Sequence, residues 1–141
     1  KSNFPIYYSK KNLKKFIFKF NIIINLLPNT KKTKNFINKS FLNNMKKKSM
    51  LINVGRGSTI DEKSLINHVK KNKEFFAVLD VFKNEPLKKN HSLWKYKNII
   101  ITPHIASITN IKSGVNQIYN IYKNFNKTGK LTNTVDMSEK Y

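Results

Sequence analysis

Apolar residues fall along this chain in two alternating patterns, short unbroken runs and longer stretches in which they recur every three or four positions. The runs predict strands and the spaced stretches predict helices. Ile22 to Leu27 reads as a buried strand stopped by "PNT", and Asn38 to Lys47 as a helix with Phe41, Leu42 and Met45 on one face. Met50 to Val54 is expected as a second strand, Gly55 to Gly57 as a turn, and Asp61 to Lys71 as a helix carrying Leu65, Ile66 and Val69. Phe75 to Val81 and Asn98 to Thr102 supply two further strands, with an irregular stretch between them. From Thr109 to Phe125 the spacing of Ile111, Val115, Ile118, Tyr119, Tyr122 and Phe125 predicts a long amphipathic helix. Strands alternating with helices in this way indicate an α/β fold built on a parallel sheet.

The unusual residues sit where strands end: Pro28, Gly55 to Gly57, Asp80 to Pro86, and Pro103 to His104. Open parallel sheets bind ligands beyond the carboxyl ends of their strands. One rim is therefore expected to gather the chemistry.

Composition narrows the classes. A chain of 141 residues, 39% hydrophobic and 12% aromatic, suffices for one domain or part of one. It holds no cysteine, which excludes disulfides and thiolate metal sites. The apolar run "IIINLLP" is far shorter than the roughly 20 residues of a membrane helix, and a soluble, cytoplasmic protein is expected. The opening "KSNFPIYYSKK" has neither an initiator Met nor a signal-peptide core, so the chain reads as starting partway through a larger protein. A net charge of +21 raises the alternative of a basic nucleic-acid-binding module. Against it, lysine, asparagine, isoleucine and phenylalanine are inflated together and the lysines scatter over every segment, the pattern of a solvated basic surface.

Within 28 basic residues there is one arginine, Arg56, placed between Gly55 and Gly57. Where lysine serves every other cationic position, a lone guanidinium suggests forked recognition of a carboxylate. Glu85 and His104 follow the next two strands. A catalyst acting on a small keto or hydroxy acid needs a cation for the substrate carboxylate, a proton donor for the carbonyl oxygen, and an anion that keeps the donor protonated. Arg56, His104 and Glu85 supply these in turn. Taken singly, a surface arginine, a loop histidine and an exposed turn carboxylate carry more weight. Their coincidence at successive strand ends reverses that. His68 and His91 are expected to be solvated, Trp94 to be a hydrophobic plug under a loop, and no histidine pair has metal-ligand spacing. With glycine only at 55, 57, 114 and 129, the dinucleotide fingerprint G-x-G-x-x-G cannot occur.

"INLLPNTKKTKNFIN", "LINVGRGSTIDEKSL", "AVLDVFKNEPL" and "NIIITPHIASIT", in this order and spacing, resemble the D-isomer-specific 2-hydroxyacid dehydrogenases, most closely the glyoxylate/hydroxypyruvate reductase A branch. The resemblance implies a partial Rossmann-like NAD(P)-binding domain over residues 1–108, and over residues 109–141 the helix and tail of the substrate domain. It implies that Arg56 binds the 2-keto acid, His104 is the general acid/base, and Glu85 pairs with His104 and raises its pKa. Asp80 would hold the nicotinamide carboxamide, Val54 and Gly55 would line that ring, and Pro28 would lie beside the adenosine half. Lys1 and Ser2 fall where the branch has an Arg-Ser that meets the 2′-phosphate of NADPH. The implied cofactor is NADP(H), with NAD(H) as the alternative, the partner a small 2-keto acid, and the full-length enzyme a homodimer without metal. The chain departs from the family pattern at Phe76 and Ser49, where glycines are usual, and at Asn72, expected to take the left-handed conformation at a helix end. A truncated, inactive relic of such an enzyme is the rival that these departures suggest.

Overall fold

The computed structural model describes residue 13, residues 16–108 and residues 110–135. Four strands, β1 (Ile22–Asn25), β2 (Met50–Asn53), β3 (Phe76–Leu79) and β4 (Ile99–Ile101), form one sheet in the order β1-β2-β3-β4. Every pairing is parallel, with Ile24 beside Ile52, Ile52 beside Val78, and Val78 beside Ile100. The connections carry helix α1 (Lys39–Asn43), helix α2 (Glu62–Lys71) and, between β3 and β4, a 3-10 turn at Ser92–Lys95.

Because each strand lies directly beside its predecessor and parallel crossovers share one hand, all three connections lie on the same face of the sheet. That face holds the core: Leu51, Ala77 and Ile99 pack with Phe41 and Leu42 of α1, Leu65 and Val69 of α2, and Leu93 of the 3-10 turn. Asn38 caps α1 by accepting from the Phe41 amide, and Asp61 caps α2 by accepting from Ser64. Ile37 and Ile60 form a parallel bridge that straps the approach to α1 against the approach to α2.

Among the described residues no helix covers the opposite face. Ile22, Ile24, Phe76 and Ile100 are between 41% and 58% exposed, so the expectation of a strand buried on both sides at Ile22 to Leu27 fails. The alternation exposed, half-buried, exposed, buried along β1 is that of a sheet covered on one side only. Phe76 lies on the opposite face, away from α1 and α2, so its side chain does not crowd the helices. The final helix, α3 (Ile111–Thr128), is capped by Asn110 and ended by Gly129 at φ 67, and buries none of its residues. No helix among the described residues is long and apolar enough to cross a membrane.

Most element boundaries moved inward, while α3 runs on to Thr128, past the Phe125 at which it was expected to end. The first helix ends at Asn43, because the Asn44 side-chain amide donates to the Ser40 carbonyl and competes with the helical ladder. Asn72 ends α2 at φ −120, extended and not left-handed, and its amide group donates to the Lys47 carbonyl.

Candidate functional site

The turn after β2 wedges between its two neighbours. A Cβ on Gly55 would stand 2.8 to 2.9 Å from backbone atoms of Leu26 and Leu27, after β1. A Cβ on Gly57 would stand 1.9 Å from the Phe82 carbonyl carbon, after β3. Neither glycine has positive φ. Their role is room: they let three strand-end loops meet, while Arg56 between them stays exposed. The Arg56 Nη1 donates to the Gly55 carbonyl at 2.9 Å, which leaves the remaining guanidinium donors to other partners.

After β3 the chain turns through Asp80 to Pro86, with a cis Glu85–Pro86 bond. The Glu85 carboxylate accepts from the Phe82 amide at 2.8 Å and pairs with His104 Nδ1, also at 2.8 Å. The Phe82 amide first, and the His104 contact further, hold its carboxyl below the usual range despite partial burial. With Nδ1 engaged by Glu85, Nε2 is the nitrogen of His104 open to a ligand.

His104 has φ 55, a left-handed conformation uncommon for a residue with a side chain and costing about 1–3 kcal/mol. Asp80 holds it there. The buried Asp80 carboxylate accepts from the Thr102 hydroxyl and from the amides of Ile105 (3.0 Å) and Ala106 (2.9 Å), bracketing His104 on both sides. Burial opposes ionisation of Asp80, but the Thr102 hydroxyl and the two amides outweigh it, and its carboxyl lies below the usual range.

Asp80, Glu85 and His104 line one recess of about 710 Å³, walled by Phe82, Leu87, Ile101 and Trp94. Trp94 is 52% exposed, its indole N–H donating to the Lys88 carbonyl, so the plug under this loop is the fully buried Leu93 and Trp94 is a wall. Arg56 is not among the lining residues. Gly55 meets the backbone of Leu26 and Leu27, the two residues before Pro28, and Val54 stands just before Gly55, past the end of β2. Lys1 and Ser2 lie outside the described residues, as does Thr109.

Sequence reasoning missed two things here. One is the bracing of the His104 loop by Asp80 and Thr102, a bond across neighbouring strands that no spacing rule reveals. The other is a buried polar group, Asn25, Asn53 and Thr59, beneath the Arg56 turn; its signal was the asparagine that closes each of two otherwise apolar strands. The other histidines are not merely solvated. His68 packs edge-on against Phe75 at 4.7 Å with Nε2 buried and unpartnered, and burial lowers its pKa. His91 caps the 3-10 turn at the Leu93 amide and lies 3.7 Å from Glu62.

Comparison with known proteins bears on the family and the fold. Residues 3–106 match the model of the D-isomer specific 2-hydroxyacid dehydrogenase, NAD binding domain. The chain is 34% identical over 126 residues to glyoxylate/hydroxypyruvate reductase A of Citrobacter koseri, covering 89% of this chain and 40% of that protein. With the protein of the same name from Photorhabdus laumondii it shares 38% over 108 residues, covering 77% of this chain and 34% of that one. Among solved structures, a D-isomer specific 2-hydroxyacid dehydrogenase from Xanthobacter autotrophicus Py2 in complex with NADPH and MES superposes with a TM-score of 0.87 at 30% identity, over 96% of this chain and 56% of that one. The chain thus spans two fifths or less of the length of these curated relatives.

Proposed function

Because this chain belongs to the D-isomer-specific 2-hydroxyacid dehydrogenase family and carries its NAD-binding domain, we propose that it serves as the carboxyl-terminal part of an NADP(H)-dependent reductase of a small 2-keto acid, glyoxylate or hydroxypyruvate. The observation that carries the reading is the 2.8 Å pair of His104 and Glu85 inside a recess at the carboxyl rim of a parallel sheet. Glu85 fixes a proton on Nδ1, and His104 gives the proton on Nε2 to the keto oxygen. Arg56 takes the substrate carboxylate in a forked pair.

The residues suit a nicotinamide cofactor as far as this chain reaches. The Asp80 carboxylate has room for about four hydrogen bonds and accepts three, which leaves one acceptor position for a carboxamide N–H. Val54 and Gly55 would face the same ring, Pro28 the adenosine half, and Lys1 and Ser2 the 2′-phosphate. When bound, the reduced nicotinamide supplies a hydride to the keto carbon. The pyrophosphate has no glycine turn among these 141 residues, and the exposed apolar sheet face supports reading the chain as one part of a larger unit.

The test joins this chain to the unmatched amino-terminal part of the Citrobacter koseri reductase and follows NADPH oxidation with glyoxylate and hydroxypyruvate. A folded chimera should turn over at least one of them. His104→Phe should abolish turnover, and Arg56→Lys should lower kcat/KM by one or more powers of ten, about 1.4 kcal/mol each. A chimera that folds and consumes no NADPH with either acid overturns the reading.

A further inference from the structure

We infer that Asn25, Asn53 and Thr59 form a buried clamp on the backbone of Arg56 and are positioning residues for carboxylate recognition by its guanidinium. This rests on the reading of Arg56 given above. Thr59 and Asn53 are fully buried and Asn25 is 4% exposed, at the carboxyl ends of β1 and β2 and in the turn beyond. The Asn25 side-chain amide spends both of its protons inside the group, one on the Asn53 side-chain oxygen and one on the Thr59 hydroxyl, each at 2.7 Å. Thr59 in turn donates its hydroxyl proton to the Arg56 carbonyl at 2.6 Å. Asn53 Nδ2 reaches the same carbonyl at 3.4 Å, and the Thr59 amide at 3.2 Å. On the other side of Arg56, the Gly55 amide donates to Asn53 Oδ1 at 3.3 Å, and the Leu27 amide to Asn25 Oδ1 at 3.2 Å.

Four of the five side-chain N–H and O–H protons of the group have acceptors in these contacts, and the chain of donors ends on one backbone carbonyl. An apolar trio would fill this volume but would leave the Gly55 and Leu27 amides without these acceptors and the Arg56 carbonyl without these side-chain donors. What the polar trio adds is direction: it holds the Arg56 carbonyl on one side and the Gly55 amide on the other, while the glycines flanking Arg56 bring the neighbouring loops into contact. A forked pair to a carboxylate tolerates little displacement, and a long, exposed side chain is aimed mainly by its backbone. Thr59 is the residue on which the clamp turns, since its hydroxyl receives from Asn25 at 2.7 Å and donates to the Arg56 carbonyl at 2.6 Å, whereas Asn53 reaches that carbonyl only at 3.4 Å.

The chain contains one arginine, so labelling with ¹⁵N-arginine gives a single backbone amide and a single Nε. In the unaltered chain the Arg56 amide should have an order parameter near 0.85, the rigid-backbone value. In Thr59→Val, which keeps the volume and removes the hydroxyl, it should fall below about 0.6, and Thr59→Ser should restore it. The glyoxylate concentration that half-shifts the Nε signal should rise about tenfold in Thr59→Val and return in Thr59→Ser. An Arg56 amide equally rigid in Thr59→Val overturns the clamp. Should Thr59→Val not fold, hydrogen exchange in the unaltered chain decides: the Leu27 and Gly55 amides should be as protected as those within the sheet, and rapid exchange at both overturns the clamp. An Nε signal that glyoxylate leaves unmoved in the unaltered chain, with the amide rigid, overturns instead the carboxylate reading of Arg56.

Discussion

Replacing the glycines one at a time by alanine measures how tightly the strand-end loops are wedged. At Gly57 the added Cβ would lie 1.9 Å from the Phe82 carbonyl carbon, 2.1 Å from its oxygen and 2.4 Å from the Lys83 nitrogen. All three are backbone atoms, so no rotamer change relieves the overlap, and the two turns must part by about 1.5 Å to reach ordinary contact. Parting them uncovers Phe82, which is 9% exposed, and stretches the bond from its amide to Glu85. Losing much of a buried phenylalanine's transfer energy, about 1.5–3 kcal/mol, together with about 1.5 kcal/mol for a hydrogen bond to a charged group, gives an expected loss of about 3 kcal/mol or more.

Gly55→Ala meets backbone at 2.8 to 2.9 Å, a shortfall of about half an ångström, and should cost about 1–2 kcal/mol, at the low end of overpacking. Gly129→Ala meets nothing within 4 Å but must hold φ 67, which costs about 1–2 kcal/mol for a residue with a side chain. Urea unfolding followed by circular dichroism orders the three. The reasoning requires Gly57→Ala to be the most destabilised by a clear margin, and a Gly57→Ala midpoint no lower than that of Gly129→Ala would refute the contact between the Arg56 turn and the Phe82 loop.

Acid should act through Asp80 and Glu85: their folded-state pKa values are depressed, so the stability they contribute is present above the unfolded-state value, near 4, and lost as pH falls through the folded-state values. Asp80→Asn, with one acceptor oxygen where the carboxylate has two, should lose about 1–3 kcal/mol at pH 7 and show a shallower decline below pH 4, measured by urea midpoints across pH. An acid limb as steep as that of the unaltered chain would exclude Asp80 as its source. His68 is lowered by burial, so its neutral form is the folded one, and stability should fall as pH drops below about 6.5. His68→Phe keeps the ring contact with Phe75 and should flatten thermal stability between pH 7 and pH 5; an unchanged slope would point to another group.

Where the sequence was legible, the reason is that its signals are local. A run of isoleucines cannot be amphipathic as a helix, and Asn38, Asp61 and Asn110 cap helices through bonds spanning three residues. The parallel sheet follows from the alternation alone. What the runs did not disclose is which of two faces would be covered, because a strand of consecutive apolar residues reads as buried on both sides whether or not both are. The order β1-β2-β3-β4 decides it, by sending all three crossovers to one side, and that order lies in the pairing.

The candidate site divides along the same line. Glu85 and His104 were legible because each follows a strand and strand ends in a parallel sheet share a rim; the 2.8 Å contact between them is the geometric consequence. Asp80 was legible as a position but not as a brace, since its partners lie 22 to 26 residues away on the next strand end. Arg56 shows the same split. Its being the only arginine marks it in the sequence, but why it stands between two glycines is a three-dimensional matter. The flanking positions face backbone on both sides and admit no side chain, so the middle residue of the turn is the one whose side chain is free to leave it. A side chain presented from a turn that is wedged by its neighbours and clamped from beneath is held at its root, and with one guanidinium nitrogen on the Gly55 carbonyl its other donors are left for a partner that arrives from solution.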